Sequence, residues 1–123
     1  MNYNELTRRY FESPESAGEL SGPGVFRGTA GNREQGTWVQ FDLRAESGTL
    51  RAVRFLAFAC PHTIAVSAWV AEQSVGKAVS ATLPERVQDL RDRFAVPVEK
   101  MGRLLIIEDA WAAAAAPAID YRE

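Results

Sequence analysis

Between Thr37 and Ala59 the chain alternates apolar and polar residues twice, with a break at Glu46-Ser47-Gly48. Val39, Phe41 and Leu43 share one parity and Gln40 and Asp42 the other, the pattern of a half-buried strand. Val53, Phe55 and Ala57 repeat it on the return. Two such runs around a tight Gly-containing turn predict a hairpin, Thr37 to Ala45 paired with Thr49 to Ala59. Phe55 to Ala59 is apolar on both parities, which predicts cover on both faces of that half. The hairpin then constrains the segment after it. Cys60 ends the second strand, Pro61 suits the first turn of a helix, and Thr63 to Glu72 carries almost no charge. A helix so poor in charge must lie centrally and be buried.

On the N-terminal side, Asn4 to Phe11 is a short helix with Asn4 as N-cap; Leu6, Tyr10 and Tyr3 face inward, and Pro14 lies past its end. Glu15 to Gly24, rich in Ser, Gly and Pro, is a loop. Val25 to Thr29 is a first strand, and Thr29 to Gly36 a polar loop. Val75-Gly76-Lys77 closes the uncharged helix. Thr82-Leu83-Pro84-Glu85 has capping-box spacing, and Leu83, Val87, Leu90 and Phe94 recur at helical intervals behind it. Pro97 interrupts. Glu99 to Ala116 is a long last helix with Ile107, Ala110, Trp111 and Ala114 on one stripe, ended by Pro117. Strands followed by helices give an α+β domain, residues 1–123, with a three-stranded, mainly antiparallel sheet and helices packed on one side.

Composition excludes several functions. The net charge of −2, with Arg and Lys scattered, gives no nucleic-acid footprint. No apolar stretch approaches a membrane span, and the first residues do not form an apolar signal segment. These features point to a cytoplasmic protein with neither nucleic-acid nor membrane partners. No phosphate-binding loop or dinucleotide fingerprint occurs. Gly22-Pro23-Gly24 is a turn. Asp89, Arg91, Asp92 and Arg93 read as a solvated helix face and Glu108-Asp109 as an exposed acidic pair; Trp38, Trp69 and Trp111 read as core or interface.

One cysteine, Cys60, and one histidine, His62, remain. A thiol where a strand hands over to a helix feels unpaired N–H groups and the positive end of the helix dipole. Both favour the thiolate, the form that attacks, binds metal or carries persulfide sulfur. A buried cysteine acting as a small hydrophobe is the alternative. Cys60 and His62 also supply two soft metal ligands, to be completed by a carboxylate such as Glu34 or Asp109; otherwise His62 is a partly exposed histidine at a helix start.

Three blocks resemble the IscU/NifU iron–sulfur scaffold family. Tyr10-Phe11-Glu12-Ser13-Pro14-Glu15-Ser16-Ala17-Gly18 is similar to its N-terminal Tyr-x-x-Pro-x-Asn-x-Gly segment. Phe55 to Ala65 resembles its Phe-x-x-x-Gly-Cys-x-x-x-Ile-Ala block, and Lys100 to Ala110 its Cys-Ser-x-Leu-Ala-Glu-Asp-Ala block. The resemblance runs over nearly the whole chain and implies the SufE/IscU-like fold. It also implies a site of three cysteines and an aspartate, of which only Cys60 is present. The first cysteine falls at Arg33 (or Asn32), the aspartate near Glu34 or Gln35, the third cysteine at Arg103 and the histidine before it at Gly102. The chaperone-recognition segment is altered to Val96-Pro97-Val98-Glu99-Lys100.

Clusters are held mostly by four thiolates, so one Cys and one His per chain cannot cage one as the intact family does. Arg33 and Arg103 are instead expected beside Cys60, stabilising its thiolate or persulfide. SufE-type sulfur acceptors share the fold and work with one cysteine. The implied function is sulfur acceptance or accessory scaffolding in iron–sulfur cluster assembly through Cys60, with a cysteine desulfurase as partner, and not classical catalysis. A cluster or zinc on Cys60, His62 and Glu34 would be weak or absent. The alternative is a binding or regulatory module that docks on the same biogenesis partners without chemistry.

Overall fold

The computed structural model describes residues 3–121. Helix α1 (Glu5–Glu12) precedes strands β1 (Val25–Asn32), β2 (Thr37–Glu46) and β3 (Thr49–Phe58). Helices α2 (Pro61–Ser74), α3 (Val87–Arg93) and α4 (Met101–Ile119) come next, with 3-10 turns at Arg33–Gln35 and Val98–Lys100. The strands form one antiparallel sheet in the order β1-β2-β3.

Parity decides the layers. Val39, Phe41, Leu43, Val53 and Phe55 turn one face of the sheet toward α2 and α4, and all five are buried. Helix α4 lies across β1 and β2, and α2 across β3. The Trp111 ring meets Phe41 edge-on at 5.2 Å, a favoured aromatic geometry, while its indole N–H donates to the Ser80 carbonyl at 2.9 Å. Helix α2 is buried along most of its length, Ala65, Val66, Ala68, Val70 and Ala71 showing 1 % exposure or less.

The alanine run of α4 has a partner in Gly28. A Cβ built there would stand 2.2 Å from the Ala114 backbone nitrogen and 2.6 Å from the Ala110 carbonyl oxygen. Helix and strand therefore touch backbone to backbone, which small side chains on α4 and none at Gly28 permit. This approach carries α4 close enough to the sheet for its first turns to reach the start of α2.

The second face is not open to solvent. The segment before β1 crosses it, so Asp42, expected to point outward, is fully buried. Its carboxylate accepts from Arg27 Nε (2.8 Å) and Nη2 (2.9 Å), from the Leu20 N–H (2.8 Å) and from Gln40 Nε2 (3.3 Å). Four donors offset the cost of burying a charge. The same segment pairs with the outer edge of β3: the Phe55 N–H donates to the Ser16 carbonyl at 3.0 Å, and the Gly18 N–H to the Phe55 carbonyl at 2.9 Å.

Several boundaries differ from those expected of the sequence. β1 continues to Asn32, through the polar residues assigned to a loop, because each of them pairs across to β2. The Thr82 capping box does not form; Arg86 holds the N-cap position of α3 and Glu85 pairs with Arg93. Had Thr82 been the cap, Leu83 would need helical dihedrals while preceding Pro84, where the proline ring disfavours them. Helix α4 begins after a 3-10 turn and passes Pro117 to end at Ile119. A proline in a last turn forfeits one bond, to the carbonyl four residues back, and that residue, Ala113, is exposed. Phe58, expected to be covered, is 54 % exposed at the end of β3. No helix among the described residues is long and apolar enough to cross a membrane.

Candidate functional site

The strand pairing gathers the sequence-derived candidates at one end of the sheet. Asn32 pairs with Thr37 and Trp38 with Phe58, so the end of β1, the start of β2 and the end of β3 are neighbours. Cys60 comes directly after, as N-cap of α2, with extended dihedrals (φ −75°, ψ 164°) and no capping bond from its side chain.

The Cys60 sulfur is partly exposed and lies 3.5 Å from Thr63 Oγ1. Burial pushes the thiol pKa up and is the largest single influence; the polar Thr63 hydroxyl and backbone N–H beside the sulfur, then the proximity and charge of the Arg103 guanidinium, together outweigh it. The result is a thiol held below its ordinary range. The first turn of α2 holds no acidic residue to compete with the thiolate.

His62, two residues on, is 3 % exposed rather than partly exposed. Its ring meets Tyr3 edge-on at 4.7 Å, and its Nδ1 has no hydrogen-bond partner among the described residues. Burial first, then the charges of Lys100 and Arg103, hold the imidazole below the usual histidine value, so it is neutral at pH 7.

The two expected arginines part ways. Arg103, reaching from the first turns of α4, acts on Cys60. Arg33, in the exposed 3-10 turn after β1, stacks over the Trp38 ring with its guanidinium carbon 4.5 Å from the centroid and is not among the groups that act on the thiol. Glu34 is exposed in the same turn, its N–H donating to Asn32 Oδ1 at 2.7 Å. Glu108 and Asp109 are exposed on α4. Among the described residues no three of His, Cys, Asp and Glu gather where a metal ion could be held, so Cys60, His62 and Glu34 are not brought together as a ligand set. Thr63, which carries no motif of its own, is the hydroxyl nearest the sulfur. Its position three residues after a helix-capping cysteine was the available signal.

The three-stranded antiparallel sheet with helices on one face is a fold shared with solved structures. A protein described as an iron–sulfur cluster assembly scaffold for the SUF system, from Fervidobacterium islandicum AW-1, superposes with a TM-score of 0.73 at 14 % identity, over 92 % of this chain and 96 % of its own. A NifU-like N-terminal protein from Brucella abortus does so with a TM-score of 0.68 at 17 % identity, over 98 % and 95 %.

The chain belongs to the NifU-like N-terminal domain family, whose sequence profile matches residues 2–123. It is 27 % identical over 111 residues to the iron–sulfur cluster assembly protein IscU of Plasmodium falciparum (89 % of this chain, 68 % of that one). It is 27 % identical over 115 residues to iron sulfur cluster assembly protein 1 of Trachipleistophora hominis (92 % and 83 %). The family is one of scaffolds for iron–sulfur cluster assembly.

The cargo of that family does not fit this chain's donors. Clusters are held mainly by four cysteine thiolates, and this chain has one cysteine. The group that reaches the thiol is a guanidinium, which attracts an anionic sulfur and repels a cationic metal.

Proposed function

We propose that this protein serves iron–sulfur cluster biogenesis as a single-cysteine sulfur acceptor and not as a one-chain cluster holder. The observation that carries the reading is the Cys60 sulfur: partly exposed, at the N-terminus of a buried helix, with Thr63 and Arg103 favouring its thiolate. The partner is a cysteine desulfurase, which presents sulfur as a persulfide on its own cysteine.

In the transfer step the Cys60 thiolate attacks the outer sulfur of that persulfide. A new S–S bond forms at Cys60 as the donor's S–S bond breaks, and the donor cysteine leaves as a thiolate. Sulfur moves with no net oxidation or reduction, so no further reagent is needed. Arg103 then faces the persulfide as it faced the thiolate, and its charge favours an anionic terminal sulfur. Catalysis of a small-molecule reaction is not part of this role; the protein is a carrier.

Incubation with a cysteine desulfurase and cysteine tests the reading. Intact mass should show one added sulfur atom, removed by a reductant and missing in Cys60→Ser. Absence of any adduct on the wild-type chain, with the desulfurase still bound in a pull-down, would leave the alternative role of a docking module.

A further inference from the structure

The two edges of the sheet are finished differently. The β3 edge is strapped by its own chain. The Phe55 N–H donates to the Ser16 carbonyl and the Phe55 carbonyl accepts from the Gly18 N–H, at 3.0 and 2.9 Å. Leu50 makes the same two bonds with Lys77 and Gly76, at 2.9 and 2.8 Å. The β1 edge is bare. The Ala45 N–H donates to the Gly24 carbonyl at 3.1 Å, so Gly24 faces β2. In an antiparallel ladder every second residue turns its N–H and C=O to the same side. Phe26 and Gly28 therefore face β2, while Val25, Arg27 and Thr29 turn both groups outward. None of these outward groups has a backbone partner among the described residues.

An uncovered edge invites a further strand, and chains guard against it with lysine, proline, a bulge or a very short strand. Strand β1 has none of these guards. It runs for eight residues without lysine or proline, and its register to β2 holds without a shift from Val25–Arg44 to Asn32–Thr37. Its one charged side chain, Arg27, is drawn onto the second face by Asp42 (2.8 Å) and Glu19 (3.0 Å), so its charge is matched there.

The helix beside that edge is bare in the same sense. From Ala110 to Ile119, α4 carries no charged residue, although Ala113, Ala116 and Pro117 are exposed and Ile119 is 44 % exposed. A surface helix ordinarily turns charged and polar side chains outward. The Ala113 carbonyl carbon lies 2.6 Å from the place of a Gly28 Cβ, so this uncharged flank and the bare edge adjoin. A partner for them must bring a free strand edge and an uncharged helix flank in fixed relation. A second copy of this chain brings both, turned about a two-fold axis. Antiparallel pairing about Gly28 sets Arg27 of each copy opposite Thr29 of the other, whereas pairing about Arg27 would set two guanidiniums face to face. Ala113 and Pro117 are small enough for two α4 helices to lie side by side at about 8 Å, the close end of helix packing.

We propose that two copies of this chain join edge to edge, β1 on β1 and α4 beside α4, into one continuous antiparallel sheet. Cys60 follows β3, at the opposite edge, so both thiols stay open and sulfur acceptance is measured separately. Sedimentation equilibrium of the intact chain, under a reductant that removes any Cys60 disulfide, should show the mass doubling as concentration rises. Over the same range the Arg27 and Thr29 amides should exchange with deuterium about tenfold more slowly. Thr29→Pro removes an outward N–H, at a position where edge strands tolerate proline. Ala113→Lys sets like charges across the two-fold axis. Each should abolish the dimer, and Ala113→Lys should keep the melting temperature of the dilute wild-type chain. A dimer that survives Ala113→Lys, or edge amides that stay unprotected in the dimer, overturns the proposal. A chain that remains a monomer at every concentration overturns it as well and leaves the edge to the strand of another protein.

Discussion

The two ends of α2 treat an ionisable group in opposite ways. At its start Cys60 is partly buried, yet its thiol is held low, because the polar groups of Thr63 and the proximity and charge of Arg103 exceed the burial that opposes them. At its end Tyr10 is buried beside Glu72, and its phenol is pushed up. Burial comes first, then the hydrogen bond and charge of that carboxylate, only partly countered by Arg9 and Gln73. The start of α2 thus carries a thiol ready to ionise, while its end packs against a neutral phenol from α1. Burial alone raises both acids; at Cys60 the polar groups of Thr63, and after them Arg103, overturn it, whereas at Tyr10 the Glu72 carboxylate adds to it. A thiolate is useful at neutral pH, whereas a neutral tyrosine supplies a donor and packing.

The contrast depends on α4 lying close to the sheet, and the largest effect should come from prising it away. Gly28→Val places side-chain carbon where the Ala114 backbone stands. Denaturant unfolding should show a loss of about 3 kcal/mol. In whatever folded protein remains, Cys60 should lose its fast alkylation while the Tyr10 titration stays in place.

A narrower break is Arg103→Ala. Alkylation of Cys60 at neutral pH should slow about fivefold, the size of a screened charge contact near 1 kcal/mol, with little change in melting temperature. Removing the carboxylate at the other end by Glu72→Gln should lower the Tyr10 titration toward the ordinary phenol value of about 10, read from tyrosinate absorbance, and leave Cys60 unaffected. A phenol whose pKa is raised in the fold contributes stability that is present below about pH 10 and fades as pH rises toward the folded value. Glu72→Gln should flatten that alkaline loss.

The smallest effect concerns His62. Its folded pKa is lowered, by burial and then by Lys100 and Arg103. Its contribution is therefore present above about pH 6.5 and lost as pH falls through the folded value. His62→Gln should narrow the difference in melting temperature between neutral and acid pH by about 3 °C.

Periodicity made much of this legible. The parity of Val39, Phe41 and Leu43 placed the core face, and the lack of charge from Thr63 to Val70 placed α2 at the centre. Cys60-Pro61 located the thiol at a helix start because proline favours the first turn. Contacts distant in sequence were not legible. Asp42 looked solvent-facing because nothing in its own strand announces that Leu20 and Arg27 will close over it. Gly28 looked like an ordinary strand residue until Ala110 and Ala114 came to rest on it. Arg33 and Arg103 carried equal weight as letters, but Trp38 holds one and the geometry of α4 delivers the other. Phe58 shows the converse error, since an apolar run at a strand end need not be covered.

The acidity of Cys60 bears most directly on all of this, and its alkylation rate measured against pH reads it. With a cysteine peptide of ordinary thiol pKa as reference, the folded chain should reach half-maximal rate at a distinctly lower pH, and Arg103→Ala should move that midpoint back toward the peptide. A midpoint at or above that of the peptide would show that burial prevails at this end of α2 as it does at the other, and the sulfur-acceptor account would lose its footing.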